Sequence, residues 1–474
     1  MSVSRILVAN RGEIAIRIAR AAAELGVESV AVYAQDDAAS LHVSNADAAA
    51  PLTGTAAYLD IEQLIGVAKE AGCDAVHPGY GFLSENPKLA TACAAAGLVF
   101  IGPEPAILEL CGNKVRAREA ARTAGVPVLE GIDSAVSLEQ AQNFFAGQVS
   151  GGSMVIKAIA GGGGRGMRVV ASAAEIESAY QRCRSEAGSS FGNDTVYVER
   201  FMPRARHIEV QILADASHVV HLGERDCSVQ RRHQKIVEIA PAPGLDAALR
   251  ERIIDAALEI ARHIGYTNVG TFEFLVDTEH ETFAFIEANA RLQVEHTVSE
   301  AVTGVDIVTA QIYLAGGASL NELGLSQDRI LRPRGFAIQA RVNMERMSGD
   351  GAVIPTGGTL TAFEAPTGPG VRTDTFGRPG YTTSPHYDSL LAKVICHSTQ
   401  NDFAAAAAKT RRALGEFRIE GVETNIGFLR NLLAHPDFVD STLFAGWVDE
   451  HAQELSEPAD GQSDLPAPAL AGES

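Results

Sequence analysis

Basic charge is scarce in this chain. Its 39 lysines and arginines face 59 aspartates and glutamates, a formal net charge of −20. That balance excludes indiscriminate binding to nucleic acid or to acidic lipid, since both require a basic face. Any phosphate site must therefore be made positive locally, against the field of the whole molecule. Cysteine is sparse too: Cys73, Cys93, Cys111, Cys183, Cys227 and Cys396 form no C-x-x-C pair and no compact framework, the pattern of reduced core thiols in a cytoplasmic protein. Long apolar runs are missing. The opening MSVSRILVANRGEIAIR holds an apolar run of only four residues, too short for a signal-peptide core, and nothing approaches the ~18 apolar residues of a membrane span. What is present, 46% hydrophobic and 21% charged residues, belongs to a folded globular protein. A length of 474 residues exceeds one ordinary core, so about three domains are expected.

Residues 1–112 alternate strand and helix. Ile6–Ala9 reads as a buried strand; Ile14, Ile18, Ala21 and Leu25 recur at helical spacing, with Gly26 placed to stop the helix. Val30–Tyr33, Asp74–His77 and Leu98–Ile101 read as further strands, with a helix through Ile61, Leu64, Ile65 and Ala68 between them. Strands alternating with helices imply a parallel sheet covered by helices. The first turn, Asn10-Arg11-Gly12, is not G-x-G-x-x-G, which argues against a dinucleotide site. Residues 113–333 are mixed, with a β-rich insert at about 130–203. Residues 334–452 read as strands Phe336–Val342 and Leu391–Ile395, followed by helices Phe403–Leu414 and Thr424–Leu433. Residues 453–474, rich in Pro, Ala and Ser, read as a disordered linker.

Several segments carry chemistry. Lys157-Ala-Ile-Ala-Gly161-Gly162-Gly163-Gly164-Arg165-Gly166-Met167 lies between the β-type runs Met154–Ile156 and Val169–Val170. A Walker loop needs a helix after its glycines and a closing G-K-[ST], and has neither here. Glycines between two strands instead make a flap whose bare backbone N–H groups can close over phosphates; a plain hairpin tip is the alternative. Phe272-Glu273-Phe274-Leu275-Val276 and Phe283-Ala284-Phe285-Ile286-Glu287 form an expected hairpin. It places Glu273 and Glu287, with Asn289 just beyond, as oxygen ligands suited to Mg²⁺; a solvated strand face is the alternative. In Arg291-Leu-Gln293-Val294-Glu295-His296, Arg291, Gln293 and Glu295 share one side if the segment is extended. Arg291 can then grip a small anion and Glu295 can act as a base, with an Arg291–Glu295 salt bridge as the structural alternative. Gln230-Arg231-Arg232-His233-Gln234-Lys235 is basic but lacks interleaved aromatics, so phosphate or bicarbonate contacts suit it better than nucleic acid. His207, Glu209 and Gln211 alternate with Ile208, Val210 and Ile212; His207 is not read as a metal ligand.

With these residues in place, the chain resembles the biotin carboxylases from about Ser4 to Ala452. The resemblance is carried by Val8-Ala-Asn-Arg-Gly-Glu-Ile-Ala15, His77-Pro-Gly-Tyr-Gly-Phe-Leu-Ser-Glu-Asn86, the glycine loop, Arg225-Asp-Cys-Ser228 running into Gln230–Lys235, and Glu287 through His296. It implies a mixed α/β and α+β architecture: an ATP-grasp fold with an N-terminal Rossmann-like domain, a β-rich lid and a C-terminal biotin carboxylase domain. It further implies that Lys114, Lys157, Gly162, Gly163, Gly164, Gly166, Met167, Glu199, His207, Gln230, His233 and Leu275 contact ATP. Glu273, Glu287 and Asn289 would hold Mg²⁺ or Mn²⁺. Lys235, Arg291, Gln293, the Val294 backbone and Glu295 would bind bicarbonate, with Glu295 as its base. Tyr80 and Arg341 would serve biotin, Arg341 by steadying its enolate. The implied reaction runs through carboxyphosphate, shielded from water by closure of the lid.

Four positions depart from common members of that family: Thr297 where many have Pro, Gln339 where Glu is frequent, and Ala288 and Ala290 in place of larger or polar residues. They spare the implied ligands and point to the large acyl-CoA or pyruvate carboxylases. The seven lysines (69, 88, 114, 157, 235, 393 and 409) include none beside a methionine, so the Ala-Met-Lys-Met biotinylation sequence is absent. Biotin is then expected on a separate carrier protein or domain, alongside a carboxyltransferase component, in a homodimer or larger assembly. The rival readings are another ATP-grasp ligase, such as a carbamoyl phosphate synthetase, or a nucleotide-binding module without catalysis. The segment around Arg341 separates the first, and the complete set of charged residues the second.

Overall fold

The computed structural model describes residues 3–132, 134–148, 152–159, 166–347 and 352–457. The expected Gly162, Gly163 and Gly164, and the tail from residue 458 onward, lie outside the described residues.

Near the N-terminus, Ala48–Pro51, Glu28–Tyr33, Arg5–Val8, Ala75–His77 and Val99–Phe100 form, in that order, a five-stranded sheet, parallel throughout. The helix Gly12–Glu24 packs Ile14, Ile18, Ala21 and Ala22 into the core. It stops where Gly26 takes φ of +70°, a left-handed conformation that glycine adopts without a Cβ clash. The parallel sheet expected from the alternation is what forms.

A second, smaller sheet runs Gly131–Ile132, Val196–Arg200, Met154–Ala158, Met167–Val170. Helices Leu138–Gly147 and Ile176–Phe191 pack against it. Met154–Ala158 and Met167–Val170 are antiparallel neighbours, so the two strands expected on either side of the glycines pair with each other.

The third sheet organises the molecule. Its eight strands run Thr282–Asn289, Asn268–Asp277, Arg206–Ala214, Val219–Arg231, Gln234–Ala240, Phe336–Asn343, Leu390–Ser398 and Val371–Thr375, all antiparallel. The strand Phe336–Asn343, which opens the third segment of the sequence, hydrogen-bonds to Gln234–Ala240 of the second. The expected division near residue 333 therefore crosses a continuous sheet. One face of it carries Phe272, Phe274 and Phe285 in an apolar core with the helix Ala247–His263. Fully burying such a ring contributes about 1.5–3 kcal/mol, which holds the hairpin rigid beneath its charged opposite face.

Candidate active site

Strand register brings the charges together. Arg225 lies opposite Glu209, Glu209 opposite Glu273, and Glu273 opposite Glu287. Four charged residues thus form one row across four strands. A bulge after Glu273, where Ile286 is the extra residue, keeps Glu287 in line. Three carboxylates on neighbouring strands repel one another, and all three belong to residues with little or no solvent exposure apart from a partly open Glu287. The row persists because cations interleave with it. Lys235 Nζ donates to Glu209 at 2.6 Å, Glu295 at 2.7 Å and Glu273 at 3.0 Å. Arg225 pairs with Glu209, and Lys114 with Glu287.

Glu295 sits at the centre. Its two oxygens accept from Lys235 Nζ at 2.7 Å and from Arg341 Nη2 at 3.0 Å. Burial alone raises its pKa, but Lys235, Arg341 and Arg225 outweigh burial and hold it well below the usual carboxylate range. Burial likewise raises the pKa of Glu273, but Lys235 and His207 outweigh it and hold the carboxyl well below the usual carboxylate range; Lys114 outweighs burial in the same way and lowers Glu287. For Lys235, burial lowers the pKa while Glu209, Glu273 and Glu295 raise it well above the ordinary lysine value. Glu273, Glu287 and Glu295 are thereby favoured as carboxylates and Lys235 as an ammonium.

The segment 291–295 differs from the extended strand on which the sequence argument relied. Glu295 has φ −86° and ψ 10°, at the start of the helix His296–Thr303. The side chains still converge, because the turn aims Glu295 back toward Lys235. Gln293 Nε2 donates to Glu273 at 3.2 Å. Arg291 donates to Gln293 at 2.9 Å and Asn289 at 3.1 Å, and pairs with Glu85 at 3.1 Å rather than with Glu295. Asn289 Nδ2 lies 2.7 Å from Glu273 and 3.5 Å from Glu287, supplying to both carboxylates the positive end that a cation would supply. Two carboxylates and a carboxamide are hard oxygen donors, so this trio fits Mg²⁺ or Mn²⁺. Groups of His, Cys and carboxylate ligand atoms also converge at His207–Glu209–Glu273 and Glu209–Cys227–Glu295. In both groups the Lys235 ammonium lies within hydrogen-bond distance of the carboxylates.

His207 bridges Glu273 at 2.6 Å and Gln230 at 2.7 Å, and faces Leu275 across the strands. His233 stands apart, at the tip of the 219–231/234–240 hairpin with φ of +66°. On the flap, Lys157 pairs with Glu199, Glu199 also accepts from Arg118 at 2.8 Å, and Met167 lies opposite Lys157; Gly166 holds φ of +66°. Tyr80 donates its hydroxyl to Glu13. Four residues that sequence reading had not selected complete the network. Glu209 holds Lys235, Glu238 holds Arg341 at 2.6 Å, Glu13 holds Tyr80, and Lys393 reaches the Val294 carbonyl at 3.2 Å. Two departures from the family pattern touch each other: Thr297 donates to Gln339 at 2.5 Å, and Gln339 to Glu238 at 2.8 Å.

The fold and these charges define an ATP-grasp ligase. Three family models cover the chain in succession: biotin carboxylase, N-terminal domain, over residues 2–108; carbamoyl-phosphate synthase L chain, ATP binding domain, over 113–323; and biotin carboxylase C-terminal domain over 339–450. The flanking two separate the chain from the carbamoyl-phosphate synthases with which it shares the middle one. It is 49% identical over 458 residues to the mitochondrial pyruvate carboxylase of Mus musculus, matching 95% of this chain and 38% of that protein. Among solved structures, the biotin carboxylase domain of Hydrogenobacter thermophilus 2-oxoglutarate carboxylase, a dimer in complex with MgADP, ADP and bicarbonate, superposes with a TM-score of 0.92. It is 39% identical, over 97% of this chain and 100% of that one. The biotin carboxylase domain of a single-chain bacterial carboxylase is 48% identical, with a TM-score of 0.85 over 95% and 98% of the two chains. The chain belongs to the biotin carboxylase family. It spans about 38% of the length of the curated relatives it matches.

Proposed function

We propose that this chain performs the first half-reaction of a biotin-dependent carboxylase, using ATP to activate bicarbonate and then carboxylating biotin held on a carrier. The observation that supports this best is Glu295 bracketed by Lys235 and Arg341, beside the Glu273–Glu287–Asn289 donor set. A carboxylate neutralised by two cations is a weak base. Bicarbonate entering between Lys235 and Arg291 takes part of the Lys235 charge, and Glu295 gains the basicity to remove the bicarbonate proton. The freed oxygen attacks the γ-phosphate of ATP, forming carboxyphosphate and ADP. Lys114, Lys157 and Lys235 spread the charge of the transferring group, and a divalent cation on Glu273, Glu287 and Asn289 would neutralise more of it. Carboxyphosphate breaks to CO₂ and phosphate, and the phosphate takes the biotin N–H proton. Arg341, released from Glu295, stabilises the ureido oxygen as carbon–nitrogen bond formation proceeds. ATP is held by Lys114, Lys157, Gly162 through Gly164, Gly166, Met167, Glu199, His207, Gln230, His233 and Leu275. Bicarbonate meets Lys235, Arg291, Gln293, Val294 and Glu295, and biotin meets Tyr80 and Arg341.

The partners in this reading are a biotin carboxyl carrier and a carboxyltransferase, within a dimer or larger assembly. The final acceptor is acetyl-CoA, propionyl-CoA or pyruvate, pyruvate being favoured by the likeness to pyruvate carboxylases. No helix among the described residues is long and apolar enough to cross a membrane. The six buried, unpaired cysteines support the cytoplasm, although the mouse relative is mitochondrial by name. The test is ADP release by the purified chain with MgATP and bicarbonate, with and without free biotin and then a biotinylated carrier domain. Stimulation by biotin that vanishes without bicarbonate is expected; no response to either acceptor overturns the reading.

A further inference from the structure

Lys393 has no place in the reaction outlined above, yet its side chain is 0% exposed at the junction of all three segments. It interrupts the otherwise apolar run Leu390–Cys396. Burying an ammonium costs several kcal/mol unless it is fully partnered, so its partners reveal what holds it there. Nζ lies 2.9 Å from Glu13 Oε1, 3.2 Å from the Val294 carbonyl and 3.8 Å from Asp374. Glu13 belongs to the N-terminal helix, and its Oε1 also accepts the Tyr80 hydroxyl; its other oxygen is buried without a partner. In the sheet, Lys393 stands directly opposite Arg341 on one side and Asp374 on the other. One ammonium thus joins the carbonyl beside Glu295, the carboxylate that orients Tyr80, and the strand that carries Arg341.

We propose that Lys393 is a positioning residue for biotin carboxylation, fixing the bicarbonate loop and the biotin pocket in one register. This rests on the functional reading above and deepens it. The carbonyl that Lys393 grips belongs to the peptide plane between Val294 and Glu295. The Val294 N–H assigned to bicarbonate belongs to the preceding plane. Loss of the ammonium therefore disturbs Tyr80 and the strand that carries Arg341 first, while Glu295 stays held by Lys235. Phosphoryl transfer continues, and CO₂ is released where biotin is no longer aligned to accept it.

The test compares ADP release without biotin, ADP release with free biotin, and carboxybiotin formed. Lys393→Met alone leaves the buried Glu13 without its cation, while Asp374 keeps Arg372, and it risks misfolding, so the deciding protein is Lys393→Met/Glu13→Gln, which removes the pair together. Folding is checked by circular dichroism and MgATP binding. The expected result is carboxybiotin formation lowered about 10²-fold, the scale of a misplacement near 1 Å. Biotin-independent, bicarbonate-dependent ADP release should stay within about threefold of the parent, a factor well below one decade of rate. Parallel loss of both activities in the folded double variant, or carboxylation retained within about threefold, overturns the role of Lys393. A parent chain that shows no biotin response overturns the functional reading itself, and the positioning role with it.

Discussion

On the eight-stranded sheet, Lys235 is gripped by three carboxylates from separate strands and a helix start. On the flap, Lys157 is paired with Glu199, which Arg118 also holds. Both lysines are assigned to the same proposed reaction, but their settings differ in rigidity. Lys235 is fixed by strand register over a core of phenylalanines, so its position precedes any ligand. Lys157 rides on a small sheet with its own core, separate from the main one, and in the proposed reaction would exchange Glu199 for a phosphate. Chemistry placed on the stiff sheet is preorganised, and nucleotide capture placed on the flap can open and shut. Changes on the sheet should therefore strike turnover, and changes on the flap should strike nucleotide affinity.

The largest effect expected is on the sheet side. Glu295→Ala should lower bicarbonate-dependent ADP release by about 10³-fold, within the range for loss of a general base, with MgATP affinity unchanged by titration. Normal turnover would remove Glu295 from the role of base. Arg341→Ala should lower carboxybiotin formation by about 10²-fold, the scale of one missing charge-stabilising donor, and spare slow biotin-independent ADP release. Equal loss of both would tie Arg341 to bicarbonate activation instead. On the flap, Lys157→Gln should raise the KM for ATP about tenfold, the scale of one charge-assisted phosphate contact. Its stability should change by less than about 1 kcal/mol, because Glu199 keeps Arg118. A fall in kcat with KM unchanged would erase the distinction between sheet and flap.

How far these two regions could be read from sequence also differs. Glu273 and Glu287 stood out because each interrupts an apolar strand of one short hairpin, so their pairing was local. Glu209 did not stand out. Its strand alternates polar and apolar residues as an ordinary solvated strand would, and the cations that meet its polar face, Arg225 and Lys235, come from the two strands that follow. Lys393 did leave a signal, a lone lysine in LLAKVIC, but its meaning depends on the register that sets it opposite Arg341. The alternation of residue types sets Arg291, Gln293 and Glu295 on one side only if the segment is extended, whereas the helix that begins at His296 decides the backbone at Glu295. The flap's strands were plain from their β-type residues on either side of the glycines.

A smaller effect tests whether the rigidity of the sheet extends to the nucleotide hairpin. Arg232 and His233 turn that hairpin with φ of +47° and +66°, a conformation side chains resist, and the Arg232 N–H donates to both oxygens of Asp449 at 3.0 and 3.1 Å. Asp449 lies on the short helix Trp447–Glu450, so the C-terminal region clasps a turn whose flanks carry Gln230 and Lys235. Asp449→Ala removes a charge-assisted acceptor at a partly solvated site and should cost about 1 kcal/mol or less. The freed turn loosens Gln230 and His233 but not Lys235, which its three carboxylates still hold. The KM for ATP should then rise about threefold, as a cost just under 1 kcal/mol implies, with kcat unchanged. Trp447, the only tryptophan in the chain, sits two residues away and reports the loosening by its fluorescence. A fall in kcat in this variant would mean that the turn positions Lys235, and that the hairpin belongs with the flap as a moving part.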